Sequence, residues 1–261
     1  MASPERIFGL IGKKLGHSFS KRYFTAKFES LGIHDRYELF ELPSIDHFPA
    51  LVQTYRDQGL TGLNVTIPYK TEVIPFLNWL SPEAAAIGAV NTIRVEADGL
   101  SGHNSDISGF RQSLLAFLGA ARPEKALVLG TGGASKAVRF VLEQMLSPEN
   151  VVSVSRKPEN QAVLSYQALT PELISSFHLI VNTTPLGMYP DTAFAPEIPY
   201  EGMSNFHFAC DLIYNPEETL FMKKAASFGA HTCNGMEMLI LQAEKSWSVW
   251  NEKPETRIER S

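Results

Sequence analysis

Short apolar runs alternate with amphipathic segments along most of the chain. Runs such as 6–12, 126–129 and 151–155 are rich in Ile, Leu and Val, which predicts buried strands. Segments such as 20–31 and 235–250 carry apolar residues every three or four positions, which predicts helices. Strands that alternate with helices in this order predict parallel sheets joined by right-handed crossovers.

The expected elements form two series that meet near residue 105. In the first series we expect strands at 6–12, 37–42, 60–67, 89–95 and 100–104, and helices at 20–31 (capped by Ser20), 46–58, 71–80 and 106–118. In the second we expect strands at 126–129, 151–155, 163–166, 179–182, 206–211 and 230–233, and helices from 134 or 135 to 146, from 170, at 216–228 and at 235–250. Two series predict an α/β protein of two domains separated by a cleft, which is the default position for a site.

Composition narrows the class of protein without naming an activity. The 261 residues carry a net charge of −5, so there is no basic footprint for nucleic acid, and no apolar run reaches the length of a membrane span. The N-terminus does not resemble a signal peptide, and Cys210 and Cys233 lack metal-type spacing. We therefore expect a cytoplasmic protein with reduced cysteines, a small-molecule partner and no metal. Monomer and homodimer both fit the sequence.

Glycines crowd the turn between the predicted strand at 126–129 and the helix after it. Glycine lets a backbone approach a pyrophosphate closely, and a helix N-terminus offers N–H groups and a positive dipole end. The spacing G-x-G-G-x-S departs from the full dinucleotide fingerprint, so an ordinary strand-to-helix turn is the alternative. The apolar strand and the good helix favour a nucleotide site. The candidate cofactor-binding residues here are Gly130, Gly132, Gly133, Ala134 and Ser135.

The tip of the next strand indicates which dinucleotide binds. An acidic residue at this position suits the ribose of NAD, whereas basic residues suit the 2′-phosphate of NADP. Here the strand ends in Ser155, Arg156 and Lys157, which predicts NADP(H) as the cofactor. Solvated surface charges are the alternative. Thr183, after the strand at 179–182, is expected beside the nicotinamide or in a plain loop.

A lysine and an aspartate stand where a proton relay could form. Lys70 follows a strand end and precedes an expected helix, and Asp106 lies at the start of another helix. A Lys–Asp pair in a cleft can pass a proton to or from a hydroxyl as a hydride arrives or leaves. Taken one at a time, a solvated lysine and a capping aspartate explain them better.

Small hydrogen-bonding side chains follow several predicted strands. Such groups at the carboxyl ends of parallel strands suit a polyhydroxylated ligand, whose hydroxyls each need a directional partner. Turn and cap chemistry explains any one of them but explains the whole set less well. The set is Ser18, Ser20, Asn64, Thr66, Asn91 and Thr92.

Eight motifs stand in the order found in shikimate dehydrogenases, and the chain resembles that family along nearly its whole length. They are Gly16-His-Ser-Phe-Ser20, Gly62-Leu-Asn-Val-Thr-Ile-Pro-Tyr-Lys70, Gly88-Ala-Val-Asn-Thr92, Gly102-His-Asn-Ser-Asp106, the glycine turn, Asn182-Thr-Thr-Pro-Leu-Gly-Met188, Asp211-Leu-Ile-Tyr-Asn-Pro216 and Gly235-Met-Glu-Met-Leu-Ile-Leu-Gln242. The sequence departs from the family's motifs at four places. Ser105 replaces the family's Thr, Lys21 replaces its usual Pro, and Ser155-Arg-Lys replaces the commoner Asn-Arg-Thr. The glycine turn has Thr131 and Ser135 where Ala is usual.

The resemblance implies reversible NADPH-dependent reduction of 3-dehydroshikimate to shikimate, in the biosynthesis of chorismate and aromatic amino acids. It implies a Rossmann-type dinucleotide-binding domain at 105–235, inserted into a substrate domain made of 1–104 and 236–261. Lys70 and Asp106 would be the catalytic pair. By the same resemblance the substrate residues are Ser18, Ser20, Thr66, Lys70, Asn91, Asp106, Tyr214 and Gln242, and Leu212 and Gly235 join the cofactor site.

Two other functions fit parts of the sequence. One is a dehydrogenase that also oxidises quinate or uses NAD, because paired serines recognise a carboxylate without selecting the acid. The other is a non-catalytic NADP-sensing protein on the same scaffold, against which the retention of Lys70 and Asp106 speaks.

Overall fold

A computed structural model describes residues 5–16, 18–158 and 163–252 of the chain. Its contacts divide the chain into two compact units. The first unit contains the chain up to Ser105 together with the segment from Ala243 onward, and the second unit runs from Asp106 to Gln242. Parts of both predicted domains lie outside the described residues: 1–4, His17 and 253–261 of the predicted substrate domain, and 159–162 of the predicted dinucleotide-binding domain.

The first unit is built on a six-stranded mixed sheet in the order β2-β1-β3-β5-β6-β4. Its strands are β1 (Ile7–Gly12), β2 (Arg36–Glu41), β3 (Leu60–Val65), β4 (Trp79–Leu80), β5 (Thr92–Glu96) and β6 (Gly99–His103), and its helices are α1 (Phe19–Leu31), α2 (Phe48–Arg56) and α3 (Pro82–Ile87). β1 pairs in parallel with β2 and β3, whereas β3–β5 and β5–β6 are antiparallel. The expected hairpin around 97–99 is confirmed.

Aromatic side chains cover one face of this sheet. Phe8 packs against Trp250 with ring centroids 4.8 Å apart, and Phe24 stacks on Tyr37 at 4.8 Å. The Trp250 indole N–H donates to the carbonyl of Ile93 at 3.0 Å. Because Trp250 lies on the C-terminal helix, these contacts place the end of that helix on the sheet of the first unit.

The second unit holds a six-stranded sheet in which all strands are parallel, in the order β12-β11-β10-β7-β8-β9. The strands are β7 (Ala126–Leu129), β8 (Val151–Ser155), β9 (Val163–Ser165), β10 (Leu179–Asn182), β11 (Phe208–Asp211) and β12 (His231–Cys233). The helices are α4 (Ser105–Leu118), α5 (Gly133–Met145), α6 (Pro171–Ser175), α7 (Leu220–Ser227) and α8 (Met236–Asn251), of which α4 begins in the first unit and α8 ends there.

The predicted helix at 71–80 is wrong. The structure has turns from Ile67 to Val73, a short 3₁₀ segment at Ile74–Phe76 and the strand β4. Pro75 cannot donate an i→i−4 hydrogen bond, and the Ser81 N–H bonds to the Gly102 carbonyl at 2.8 Å instead. Lys70 therefore lies in a turn that leads into a short 3₁₀ segment, and the predicted helix does not follow it.

Three predicted helix starts are also corrected. Ser18, not Ser20, caps α1, because the Ser18 Oγ accepts the Lys21 N–H at 3.2 Å. Gly132 is the N-cap of α5, so this helix starts at Gly133, one or two residues before the predicted start at 134 or 135. Helix α7 starts after Thr219 rather than at Pro216, since the Thr219 hydroxyl accepts the Met222 N–H.

A buried carboxylate fixes the carboxyl end of β11. Asp211 is fully buried and accepts from the Asn182 amide at 3.0 Å, from the Ile213 N–H at 3.0 Å and from the Thr219 hydroxyl at 2.7 Å. Burial raises its pKa from 3.8 to about 6, although the three donors oppose this shift. The folded state therefore binds this proton more tightly than the unfolded state does, and proton binding stabilises the fold. This contribution to stability is fully present below pH 3.8 and is lost as the pH rises through about 6.

We therefore expect the substitution Asp211→Asn to remove one component of the pH dependence of stability. Lowering the pH from about 7 to about 5 should raise the free energy of unfolding of the unsubstituted protein, relative to the variant, by about 1 kcal/mol. Urea unfolding of both proteins at the two pH values measures this difference. Parallel pH profiles would contradict the raised pKa.

Candidate active site

The serines predicted to hold a carboxylate lie at the start of α1. Ser18 Oγ accepts the Lys21 N–H as a cap, which leaves its own O–H to donate elsewhere. Ser20 lies in the first turn of the same helix. Both serines are half-buried. One of the two hydroxyls therefore caps the helix.

Tyr69 anchors the turn that carries Thr66 and Lys70. Its side chain is buried and its hydroxyl donates to the Leu42 carbonyl at 2.6 Å. Thr66 follows β3 directly, where its N–H donates to the Ile11 carbonyl at 3.0 Å. The Lys70 carbonyl accepts the Val90 N–H at 2.7 Å, which joins this turn to the segment before Asn91. Lys70 itself is half-buried.

The orientation of the Asn91 carboxamide is fixed by the start of α4. Its Oδ1 accepts the backbone N–H of Ser105 at 2.7 Å, and its Nδ2 donates to the Ser105 hydroxyl at 3.0 Å. A backbone N–H can only donate, so Oδ1 must face Ser105 N and Nδ2 has one direction left. Asn91 is thereby joined to the residue that immediately precedes Asp106.

Asp106 and Gln242 lie on two helices that approach closely. Both side chains are buried, Asp106 in the first turn of α4 and Gln242 in α8. A Cβ added to Gly109 would lie 2.7 Å from the Met238 carbonyl and 3.0 Å from the Gln242 Cβ. The absence of a side chain at Gly109 therefore lets α8 approach α4 at Gln242, one turn beyond Asp106.

The predicted substrate residues divide between the units. Asp106, Tyr214 and Gln242 belong to the second unit by their contacts. The pairing of Lys70 with Asp106 joins residues of the two units and stays a prediction. The other predicted substrate residues belong to the first unit: Ser18, Ser20, Thr66, Lys70 and Asn91.

The glycine turn leaves open space at the N-terminus of α5. No protein atom lies within 4 Å of a Cβ added to Gly132 or Gly133, and no side chain caps the helix. Gly130 differs, because its φ of +105° and the Thr183 Oγ1, 2.8 Å from an added Cβ, both require glycine. Ser135 is buried, and its hydroxyl donates to the Gly132 carbonyl at 2.6 Å. The turn is shaped by Gly130 and open at Gly132 and Gly133.

The tip of β8 presents two exposed cations. Arg156 and Lys157 are both exposed, and the Ser155 Oγ accepts the Lys157 N–H at 3.2 Å. Burial raises the pKa of the Tyr166 phenol, and the charge of Arg156 opposes that rise, which places Arg156 near this ring. A basic tip beside an open helix N-terminus fits a dinucleotide that carries an extra phosphate.

Leu212 and Gly235 come together after β11 and β12. The Leu212 N–H donates to the Asn182 carbonyl at 3.0 Å, and the Gly235 N–H donates to the Ile213 carbonyl at 3.0 Å. A Cβ on Gly235 would overlap the Leu212 carbonyl oxygen. A cavity of about 610 Å³ adjoins this point, lined by Tyr214, Glu217, Asn234, Met236, Glu237, Ile240 and Leu241.

Sequence reasoning gave no role to the groups that hold these segments in place. Asp211, Asn182 and Thr219 form one buried hydrogen-bonded set behind Leu212. The available signal was an aspartate at the end of an apolar strand, which is costly to bury without donors. Sequence reasoning also gave no role to Ser246, a buried serine of α8 that hydrogen-bonds Asn64 and Thr92. A single serine in an amphipathic helix carries no signal of its own.

Two kinds of feature are absent from the described part of the chain. None of its helices has the length and apolar character that a membrane span requires. Within the same residues, no group of three or more His, Cys, Asp or Glu side chains could hold a metal ion.

Comparison with known proteins identifies the family. Residues 10–93 match the family model for the shikimate dehydrogenase substrate binding domain. The chain is also 35% identical over 271 residues to the shikimate dehydrogenase (NADP(+)) of Methanococcus maripaludis, an alignment covering 98% of this chain and 95% of that protein. The chain belongs to the shikimate dehydrogenase family. The expected fold class is confirmed by this membership and by the two α/β sheets.

Solved structures of the shikimate dehydrogenase family share this fold. A chorismate mutase/shikimate 5-dehydrogenase fusion protein from Clostridium acetobutylicum has 40% identity and a TM-score of 0.84, over 95% of this chain and 91% of that one. Shikimate 5-dehydrogenase from Thermus thermophilus, solved with NADP(H) and shikimate, has 31% identity and a TM-score of 0.82, over 94% and 93% of the two chains.

The glycine turn gives a prediction that separates folding from binding. Gly133→Ala meets no protein atom, so its free energy of unfolding should be unchanged or raised by about 0.5 kcal/mol, while its affinity for NADP falls about tenfold or more. Gly130→Ala is the matched control, which should lose at least about 1 kcal/mol of stability because of its positive φ. Urea unfolding and titration with NADP measure both. Undiminished NADP binding by Gly133→Ala would remove the turn from the cofactor site.

Proposed function

We propose that this protein catalyses the reversible NADPH-dependent reduction of 3-dehydroshikimate to shikimate, a step towards chorismate and the aromatic amino acids. The observation that carries the proposal is similarity over nearly the whole chain to NADP-dependent shikimate dehydrogenases, with Lys70 and Asp106 both retained. Similarity confined to one unit would support only a cofactor-binding or a substrate-binding role.

The residues of the second unit fit NADP(H). Gly132 and Gly133 leave room for a pyrophosphate at the N-terminus of α5, and Arg156 and Lys157 would hold the 2′-phosphate. Leu212 and Gly235, with Thr183, would lie at the nicotinamide end. When bound, NADPH supplies the hydride that reduces the substrate carbonyl. The protein supplies orientation and the placement of charge.

Lys70 and Asp106 would handle the proton. The Lys70 ammonium group can donate a proton to the carbonyl oxygen as that oxygen becomes a hydroxyl, and can take it back in the reverse direction. The Asp106 carboxylate can orient the ammonium group by a charge-assisted hydrogen bond. A mobile lysine side chain held in this way loses less entropy during the reaction.

The remaining polar residues would bind the substrate. Ser18, Ser20 and Tyr214 would donate to its carboxylate, for which the O–H of Ser18 is oriented by its role as a helix cap. Thr66, Asn91 and Gln242 would bond the ring hydroxyls. Each hydroxyl of the substrate then has a directional partner, which excludes molecules that lack it.

One domain would bind the substrate and the other would bind the cofactor. The substrate domain would comprise 1–104 and 236–261, and the NADP-binding domain 105–235. We also propose a cytoplasmic location, which the free thiols of Cys210 and Cys233 support.

Replacing Lys70 tests the assigned chemistry. Lys70→Ala should lower kcat at least about a hundredfold, with a smaller change in KM, because the proton donor is lost while most substrate contacts remain. The assay follows nicotinamide absorbance with shikimate and NADP. The same assay with quinate in place of shikimate, or NAD in place of NADP, tests the alternative dehydrogenase function. The exposed Lys13→Ala is the control. A near-native kcat for Lys70→Ala would exclude Lys70 from the proton transfer.

Replacing Arg156 tests the choice of cofactor. Arg156→Ala should raise the KM for NADP about tenfold or more, since a charged partner of the 2′-phosphate is lost, and should leave the KM for NAD unchanged. Lys125→Ala, an exposed cation before β7, is the matched control. An equal rise in the KM for NADP and for NAD would show that Arg156 does not bind the 2′-phosphate.

A further inference from the structure

Five polar side chains form a buried cluster in the first unit, here called the hydroxyl cluster. They come from β3, from β5 and the residue before it, from the start of α4 and from α8. Their exposed fractions are 6% or less, so water does not satisfy them and they must bond one another. The members are Asn64, Asn91, Thr92, Ser105 and Ser246.

Backbone groups fix both amides of the cluster. Asn64 Nδ2 lies 3.2 Å from the carbonyl of Asn91, which can only accept, so the nitrogen must be on that side. Asn64 Oδ1 then accepts from the Tyr37 hydroxyl at 2.7 Å. Burial raises the pKa of Tyr37, which keeps this phenol protonated as a donor. The Asn91 amide is fixed in the same way by the Ser105 N–H.

Three members of the cluster converge on the hydroxyl of Ser246. Asn64 Nδ2 donates to its Oγ at 2.9 Å, Thr92 Oγ1 lies at 2.8 Å and Ser105 Oγ lies at 3.1 Å. Thr92 and Ser105 also bond the Asn91 side chain. The Thr92 hydroxyl donates to the Asn91 Oδ1 at 3.1 Å, and the Asn91 Nδ2 donates to the Ser105 hydroxyl at 3.0 Å. Ser246 is fully buried, and it lies one helical turn after Gln242 on α8.

Ser246 also restrains the side chain of Ser105. A β-branched side chain would have restricted rotation about χ1. Serine lacks this restriction, so the Ser105 hydroxyl needs a partner to hold the rotamer that receives Asn91 Nδ2. The Ser246 hydroxyl is placed to provide it.

We propose that Ser246 is a positioning residue for the reaction, which acts through Ser105 and Thr92 to hold the Asn91 carboxamide in the orientation that binds a substrate hydroxyl. This inference rests on the proposed function, since it requires that Asn91 binds shikimate. Ser246 itself touches no substrate in this assignment. Its loss leaves the cluster with one hydroxyl fewer and releases Ser105 and Thr92 to rearrange.

The test compares Ser246→Ala with the unsubstituted protein by calorimetric titration with shikimate in the absence of dinucleotide. The variant should bind shikimate about five- to tenfold more weakly, and the KM for shikimate should rise by a similar factor with a smaller change in kcat. The affinity for NADP should not change. Ser248→Ala, on the same helix with its hydroxyl outside the cluster, should match the unsubstituted protein.

Shikimate analogues that each lack one ring hydroxyl separate positioning from a general loss of structure. The penalty of Ser246→Ala should disappear for one analogue, the one without the hydroxyl that Asn91 binds. Thr92→Val, which removes another hydroxyl of the cluster and keeps the side-chain shape, should show the same selectivity and replaces Ser246→Ala where that variant does not fold.

The outcomes distinguish this inference from the proposed function. Failure of the unsubstituted protein to bind shikimate overturns both. Binding of shikimate by the unsubstituted protein, with no loss in Ser246→Ala and Thr92→Val, overturns the role of Ser246 alone. An equal loss for every analogue overturns it as well, because a merely structural role would produce that result.

Discussion

The hydrogen bond between the Asn91 Oδ1 and the Ser105 N–H is the interaction on which the candidate site depends. Asn91 precedes β5, and Ser105 is both the first residue of α4 and the last residue of the N-terminal segment of the first unit. A buried N–H at the start of a helix needs an acceptor, and a buried amide needs its oxygen satisfied. One bond meets both needs. The bond also holds the Asn91 side chain, which is proposed to bind substrate, next to Ser105, the residue that precedes Asp106.

Close backbone approach has the corresponding role in the second unit. Gly109 lets α8 approach α4 at Gln242, and Gly235 lets the chain after β12 approach the Leu212 carbonyl. A methyl group at either position would force backbone atoms apart, since packed interiors do not yield by such amounts. The carboxylate of Asp211, with its three donors, holds the strand end from which Leu212 follows. A few close contacts therefore set the positions of Gln242 and Leu212, which are proposed to contact substrate and cofactor.

Much of the fold follows from hydrophobic periodicity. The strands at 126–129, 151–155 and 179–182 have the bounds expected from the sequence, because parallel strands buried on both faces are continuous apolar runs. Helix starts are harder to predict, because several residues near each start can act as caps. Ser18 and Ser20 are both competent caps, and only the path of α1 selects Ser18. The prediction of a helix at 71–80 was wrong because the apolar residues of this segment lie in turns and in a two-residue strand instead.

The sequence by itself determined the chemical groups of the site and their order along the chain. It determined the glycine turn, the basic tip at Arg156, and the polar residues at strand ends, because these are properties of residue type and local spacing. Only the tertiary structure decided which buried polar groups meet. Asn64, Thr92, Ser105 and Ser246 are separated by up to 182 residues, and their hydrogen bonds arise from the packing of α8 on the first sheet. Local sequence cannot encode this, because each hydroxyl is ordinary until burial deprives it of water.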